Sequence, residues 1–294
     1  MEHGRSADAV IHPLAPPPSA QRQQAALQRV DGEARIAFAA RGVADLYQRA
    51  PCRLLFPDVA AGDFPQAVSI TTSGGLTGGD RVALDIRVEP HGRGTVTTQA
   101  AEKLYRVRPG DPDIRIETRI EIAEAGRCEW LAQEAILFDR TRMRRRLHAH
   151  LAEDARLLAV ETMLFGRAAM GEQFTRGLVH DEWRIWRAGR LLWADALHIA
   201  GDFAATADAP FGFGGARAIA TLAYAGPDAA CHLDLARDLA GAPDGGATCL
   251  DGLLILRLVD RDARALRDRV IRAAAALRAA TLGLPPRLPA VWYC

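Results

Sequence analysis

Residues Ile114, Ile116, Thr118, Ile120 and Ile122 alternate with Arg115, Glu117, Arg119 and Glu121. A strict period of two sends one set to each face of an extended strand, leaving one face for a core and the other for water. No helix could segregate the two sets. Val82, Leu84, Ile86 and Val88 repeat the pattern, and Thr95 to Gln99 is rich in β-branched residues. Leu157 to Phe165 and Leu250 to Val259 are apolar runs of strand length. Turn signals fall between such runs at Glu89-Pro90-His91-Gly92, Arg108-Pro109-Gly110-Asp111, Glu124-Ala125-Gly126 and Ala188-Gly189. That spacing predicts a mainly β protein, arranged as a meander of consecutive strands and not as βαβ units.

Helices are expected only late in the chain. Asp228 to Leu239 suits a short one. In Asp262 to Leu282 the apolar residues Leu266, Val270, Ile271, Ala274 and Leu277 mark one helical face. Asp262 can cap its start, and Gly283 followed by Pro285-Pro286 stops it. With 49% hydrophobic residues in 294, there is enough apolar material for a substantial core. Residues 1–28 differ in composition: Pro13, Pro16, Pro17 and Pro18 precede Gln21, Gln23, Gln24 and Gln28. The expected organisation is a disordered tail over 1–28 and a single β-rich domain over 29–294.

A net charge of +1 creates no global field for nucleic acid or an anionic membrane. Five cysteines, odd in number and widely spaced, suggest neither a disulfide framework nor a zinc ribbon. No apolar run resembles a leader segment or approaches the ~18–20 residues of a spanning helix. A cytoplasmic protein is expected.

The glycine-rich run Ser73 to Asp80 permits positive φ and close backbone approach. No Lys-Ser/Thr pair or helix follows it, so a tight connection between strands fits better than a phosphate cradle. Phe211-Gly212-Phe213-Gly214-Gly215 lacks the third dinucleotide-fingerprint glycine, since Arg217 stands there. His148 and His150 would share a strand face and could hold nickel or zinc, or simply face water. His91, His180, His198 and His232 are isolated in sequence. No G-x-S-x-G is present. Glu161 lies inside an apolar run, and Glu134 sits among Leu131, Ala132, Ala135, Ile136 and Leu137. Buried acids are costly unless paired. Either alternation turns these two to solvent, or they line a hydrated internal passage.

Several blocks occur in a characteristic order: Ser73 to Asp80, Thr97 to Arg106 with Glu102-Lys103-Leu104-Tyr105-Arg106, Cys128 to Glu134 with Glu129-Trp130-Leu131, then Glu161 with Phe165-Gly166-Arg167, and Gly171-Glu172-Gln173-Phe174. Together they resemble the UreD/UreH family of urease accessory proteins over roughly residues 30–290. Glu102, where such proteins often carry threonine, and Ala132, where proline is common, depart from the pattern. The resemblance implies a many-stranded layered β fold, helical or sandwich-like, with a small helical element near the C-terminus. It implies a non-enzymatic maturation factor that binds apo-urease, a helical accessory partner of the UreF type and a GTPase accessory partner of the UreG type. Nickel would pass through transiently, with no tightly bound cofactor. Asp80, Glu161 and Glu172 are the acids expected to line a nickel passage. A β-rich scaffold without metal transfer and an unrecognised hydrolase are the alternatives. A sheet protein built for partners should leave apolar surface uncovered, and Trp183, Trp186 and Trp193 are candidates for it.

Overall fold

The computed structural model describes residues 29–209 and 212–294. The segment 1–28, expected to form a tail, lies outside them, as does Phe211. The chain opens with β1 (Asp31–Ala39), β2 (Gly42–Arg49), β3 (Cys52–Leu55) and β4 (Gln66–Thr71). The middle comprises β5 (Arg81–Val88), β6 (Arg93–Thr98), β7 (Glu102–Leu104), β8 (Ile114–Ile122), β9 (Arg127–Leu137), β10 (Arg142–Leu151) and β11 (Arg156–Arg167). After these come β12 (Glu172–Gln173), β13 (Arg176–Arg187), β14 (Arg190–Asp202) and the short helix α1 (Phe203–Ala207). The last part holds β15 (Ala218–Ala225), α2 (Leu233–Ala240), β16 (Gly245–Leu250), β17 (Leu253–Asp260) and α3 (Ala263–Leu282).

These strands form two facing sheets. The seven-stranded sheet runs β14-β13-β10-β8-β5-β1-β2, and the ten-stranded sheet runs β16-β17-β15-β11-β9-β6-β4-β3, with β7 added on β9 and β12 on β11. The fold is mainly β and layered, as expected, but the middle is not a meander. From β5 to β11 the chain steps back and forth between the sheets, and within each sheet β5, β8, β10 and β13, or β6, β9 and β11, pair in parallel. The turn signals mark strand ends correctly. What they do not encode is that the turns at 89–92, 108–111 and 124–126 carry the chain across to the facing sheet, while Ala188-Gly189 closes a hairpin within one sheet. Hairpin pairing occurs at the sheet edges in β1–β2, β3–β4, β13–β14 and β16–β17, and where β12 folds back on β11.

Parallel register stacks like positions in rows. Leu84, Thr118, Leu147 and Trp183 form one row, and Ile86, Ile120, Ala149 and Ile185 form the next. Both rows face the other sheet in a core that includes Trp130, Ala159 and Ile255. The alternation in β8 is read out directly: Ile114, Thr118, Ile120 and Ile122 are buried, while Arg115, Arg119 and Glu121 are exposed. Gly94 belongs to this contact. A Cβ there would lie 2.3 Å from the Phe38 ring, whose side chain is fully buried. Gly94→Ala is therefore expected to destabilise the fold by about 1–3 kcal/mol through overpacking, measurable by urea denaturation.

The outer face of the ten-stranded sheet is covered by α2, α3 and the C-terminal segment, with Leu131, Leu222 and Leu256 meeting Leu266, Val270 and Leu277. Asp262 caps α3 by accepting from the Ala265 N–H at 2.8 Å, and Gly283 ends it at φ 69°. With both faces covered, β9 is buried along almost its whole length. The acids of β9 and β11 therefore do not turn to solvent. Glu134 meets Arg267 of α3 at 2.7 Å. Of the three tryptophans, Trp183 is 2% exposed and buried in the core, while Trp186 and Trp193 are half-buried; the exposed apolar side chains include Val43, Leu46 and Tyr47 of β2 with Leu55, Phe56 and Val59 at β3.

Candidate functional site

Glu161 occupies the inner face of β11, between the sheets, and is 3% exposed. The Trp130 indole N–H of β9 donates to its Oε1 at 3.2 Å. From the facing sheet, Arg145 of β10 reaches across, and Asp181 of β13 accepts both Nε at 2.6 Å and Nη2 at 3.0 Å. Arg145 Nε also lies 3.2 Å from Glu161 Oε2, but its N–H is aimed at Asp181. Glu161 Oε2 consequently receives no hydrogen bond. One guanidinium thus serves two carboxylates, and Asp181 takes the larger share. Burial pushes the Glu161 carboxyl up to about 7, with Asp181 adding to the rise and with Arg145 and the Trp130 N–H opposing it.

Beside Glu161 lies an inter-sheet cavity of about 80 Å³, lined also by Arg145, Glu102, Trp130, Thr118 and Ile116. Its volume suits two or three waters at roughly 30 Å³ each. The Glu102 carboxyl is raised by burial and partly restored by a hydrogen bond from Thr71. Leu76, Val82, Leu84 and Ala135 make much of the lining apolar, and the carboxylates of Glu161 and Glu102 are its hard oxygen donors, with no imidazole or thiolate among them.

The other two expected acids lie elsewhere. Asp80 closes the glycine-rich connection: its Oδ1 accepts from the Val30 N–H at 2.8 Å and its Oδ2 from the Thr77 N–H at 2.7 Å. Both oxygens are engaged and the residue is 3% exposed. Asp80→Asn keeps the shape but loses charge-assisted acceptance at one oxygen, and is expected to cost about 1–3 kcal/mol, seen as a lower melting temperature. Glu172 on β12 pairs with Arg167, accepts from the Asp139 N–H at 3.3 Å, and lines an outer cleft with Tyr105, Arg106, Arg108 and Arg140. Sequence reasoning missed Arg145, Asp181 and Glu102. For Arg145 a signal existed, since it alternates with Met143, Leu147 and Ala149 on the buried face of β10.

Among the described residues, no group of three or more His, Cys, Asp or Glu side chains is arranged to hold a metal. His148 and His150 share a face but do not converge. His148 Nε2 meets Glu182 Oε1 at 2.9 Å, while His150 stacks on Trp186 at 4.3 Å. Histidines that do come together are His180 and His198, directly opposite on β13 and β14. No helix among the described residues is long and apolar enough to cross a membrane.

Residues 30–293 match the family described as UreD urease accessory protein. A protein of Rhizobium leguminosarum bv. trifolii (strain WSM2304) named urease accessory protein UreD is 41% identical over 271 residues, covering 92% of this chain and 94% of its own. One of Magnetococcus marinus (strain ATCC BAA-1437 / JCM 17883 / MC-1) with that name is 40% identical over 276 residues, covering 90% and 94%. A third, urease accessory protein UreD 3 of Methylorubrum extorquens (strain PA1), is 40% identical over 285 residues, covering 95% and 93%. Similarity of this extent, running through the glycine-rich connection, the buried strand β9 and the Glu161 strand alike, makes the chain a member of the UreD family of urease accessory proteins.

Proposed function

We propose that this chain is a cytoplasmic urease maturation factor, itself without enzymatic activity, that binds apo-urease together with a helical accessory protein and a GTPase and conducts nickel toward the urease active site. The observation that carries the nickel step is Glu161, a buried carboxylate whose Oε2 has no hydrogen-bond partner and which lies beside a small, mainly apolar inter-sheet cavity that Glu102 and Thr118 also line. In this reading nickel is cargo. Glu161 would offer it one oxygen, and Arg145, held by Asp181 at that same oxygen's side, would keep the dwell short by repulsion. GTP hydrolysis would belong to the partner, consistent with a glycine-rich run that leads into β5 and not into a helix. The family name carried by its relatives supports the urease connection.

The experiment is maturation with and without this chain. Urease subunits are expressed with the remaining accessory proteins, and the purified enzyme is assayed for nickel and for co-purifying partners. Low nickel without the chain, restored on adding it, is expected together with its recovery in a complex with apo-urease. Equal nickel in both preparations would overturn the proposal.

A further inference from the structure

On the outer face of the seven-stranded sheet, His180 of β13 and His198 of β14 stand directly opposite each other, with their Nδ1 atoms 3.3 Å apart. As a hydrogen bond this contact is long, and it requires one neutral ring to donate and the other to accept. As a chelate it is well dimensioned. Two imidazole nitrogens, each about 2.0–2.1 Å from one ion at a near-tetrahedral angle, lie about 3.3 Å apart. The rear of the His180 ring faces a carboxylate, with Nε2 3.6 Å from Glu182 Oε2. At that distance Glu182 makes no hydrogen bond to the ring and acts on it as a nearby negative charge. Glu182 is itself positioned by His148 at 2.9 Å and Arg184 at 3.0 Å.

The juxtaposition depends on one irregularity. The β13–β14 register shifts between Ile185 and Trp186, near the turn. Without that bulge His180 would oppose Leu197 and His198 would turn to the other face, since a one-residue slip inverts a strand. His198 is exposed and His180 half-buried, so water can complete the coordination of an ion held there.

We infer that His180 and His198 form a surface chelate for a nitrogen-preferring divalent transition ion such as nickel, copper or zinc, with Glu182 as a nearby negative charge. Arg184 offsets part of the charge of Glu182, so attraction rests mainly on the imidazole donors. Magnesium and calcium, which seek oxygen ligands, are excluded on that ground. This inference is independent of nickel conduction past Glu161.

The test titrates the full chain with copper(II) and nickel(II), using copper electron paramagnetic resonance to detect nitrogen donors. Wild type should bind one more copper ion than the double variant, and that ion should show couplings from two imidazole nitrogens. His180→Ala with His198→Ala should lose that signal and one equivalent of nickel without a change in melting temperature. Glu182→Gln should retain the two-nitrogen signal with weaker affinity, through loss of the nearby negative charge. A wild-type chain lacking nitrogen-coordinated copper, or a double variant with unchanged stoichiometry and couplings, would overturn the inference. Equal occupancy by magnesium would overturn its selectivity.

Discussion

Arg278→Met is expected to lower the melting temperature by roughly 10 °C. Arg278 projects from α3 with no exposed surface and holds Glu129 of β9, itself fully buried, through Nε and Nη2 at 2.9 Å each. Its Nη1 donates to the Pro285 carbonyl at 3.1 Å and lies 3.0 Å from Asp63 Oδ1. Methionine fills much the same volume but leaves Glu129 with only the Thr95 hydroxyl at 2.6 Å. Breaking a buried pair by removing one partner costs about 3–5 kcal/mol, because a charge stays buried without compensation. At about 2–4 °C per kcal/mol for a chain of this size, the shift is about 10 °C. Adding Glu129→Gln to Arg278→Met should recover part of the loss, since Glu129 then carries no charge, while Asp63 keeps Arg287 at 3.8 Å. Calorimetry on the three proteins checks this. A loss below about 1 kcal/mol for the single variant would mean that α3 is held to the sheet by its apolar face alone.

The second large effect concerns Glu161→Gln and has a pH signature. The folded carboxyl titrates near 7, above an ordinary value of 4.5. Between these values the folded state keeps a proton that the unfolded state has released. Stability must then fall as pH rises from about 4.5 to 7 and level off above 7. At about 1.36 kcal/mol per pH unit, the cost of the ionised form is on the order of 3 kcal/mol at pH 8. Glutamine has no ionised form, so the variant should be more stable than wild type at pH 8, with the gap closing toward pH 4.5. Urea midpoints across this range measure it. A gap of the same size at pH 5 and pH 8, or a variant less stable at pH 8, would remove the buried ionised carboxylate from the description.

The faces of the strands were legible because period-two alternation reports burial directly. Ile114 to Ile122 behaves as its spacing requires, and α3 begins and ends at Asp262 and Gly283 as their capping chemistry dictates. Pairing was not legible. Alternation says which face a residue takes but not which strand lies beside it, so the parallel ladder through Leu84, Thr118, Leu147 and Trp183 could not be read from local pattern. The same limit explains the site. Glu161 was conspicuous as an acid in an apolar run, but Arg145 reaches it from the facing sheet, with Asp181 bound to the same guanidinium. Asp80 stood out for the same kind of reason, a carboxylate after glycines, and the structure engages it with the Thr77 amide of the connection it closes and the Val30 amide at the entry to β1. His180 and His198 appeared isolated because a bulge, invisible in composition, sets their register.

The most direct measurement of the central claim is the nickel content of urease matured with Glu161→Gln in place of the wild-type chain. Assembly with urease and the melting temperature of the variant are recorded on the same preparations. If Glu161 hands nickel through the space between the sheets, urease nickel should fall severalfold while assembly is intact and stability is equal or higher. Urease carrying its full nickel complement under those conditions would contradict conduction past Glu161.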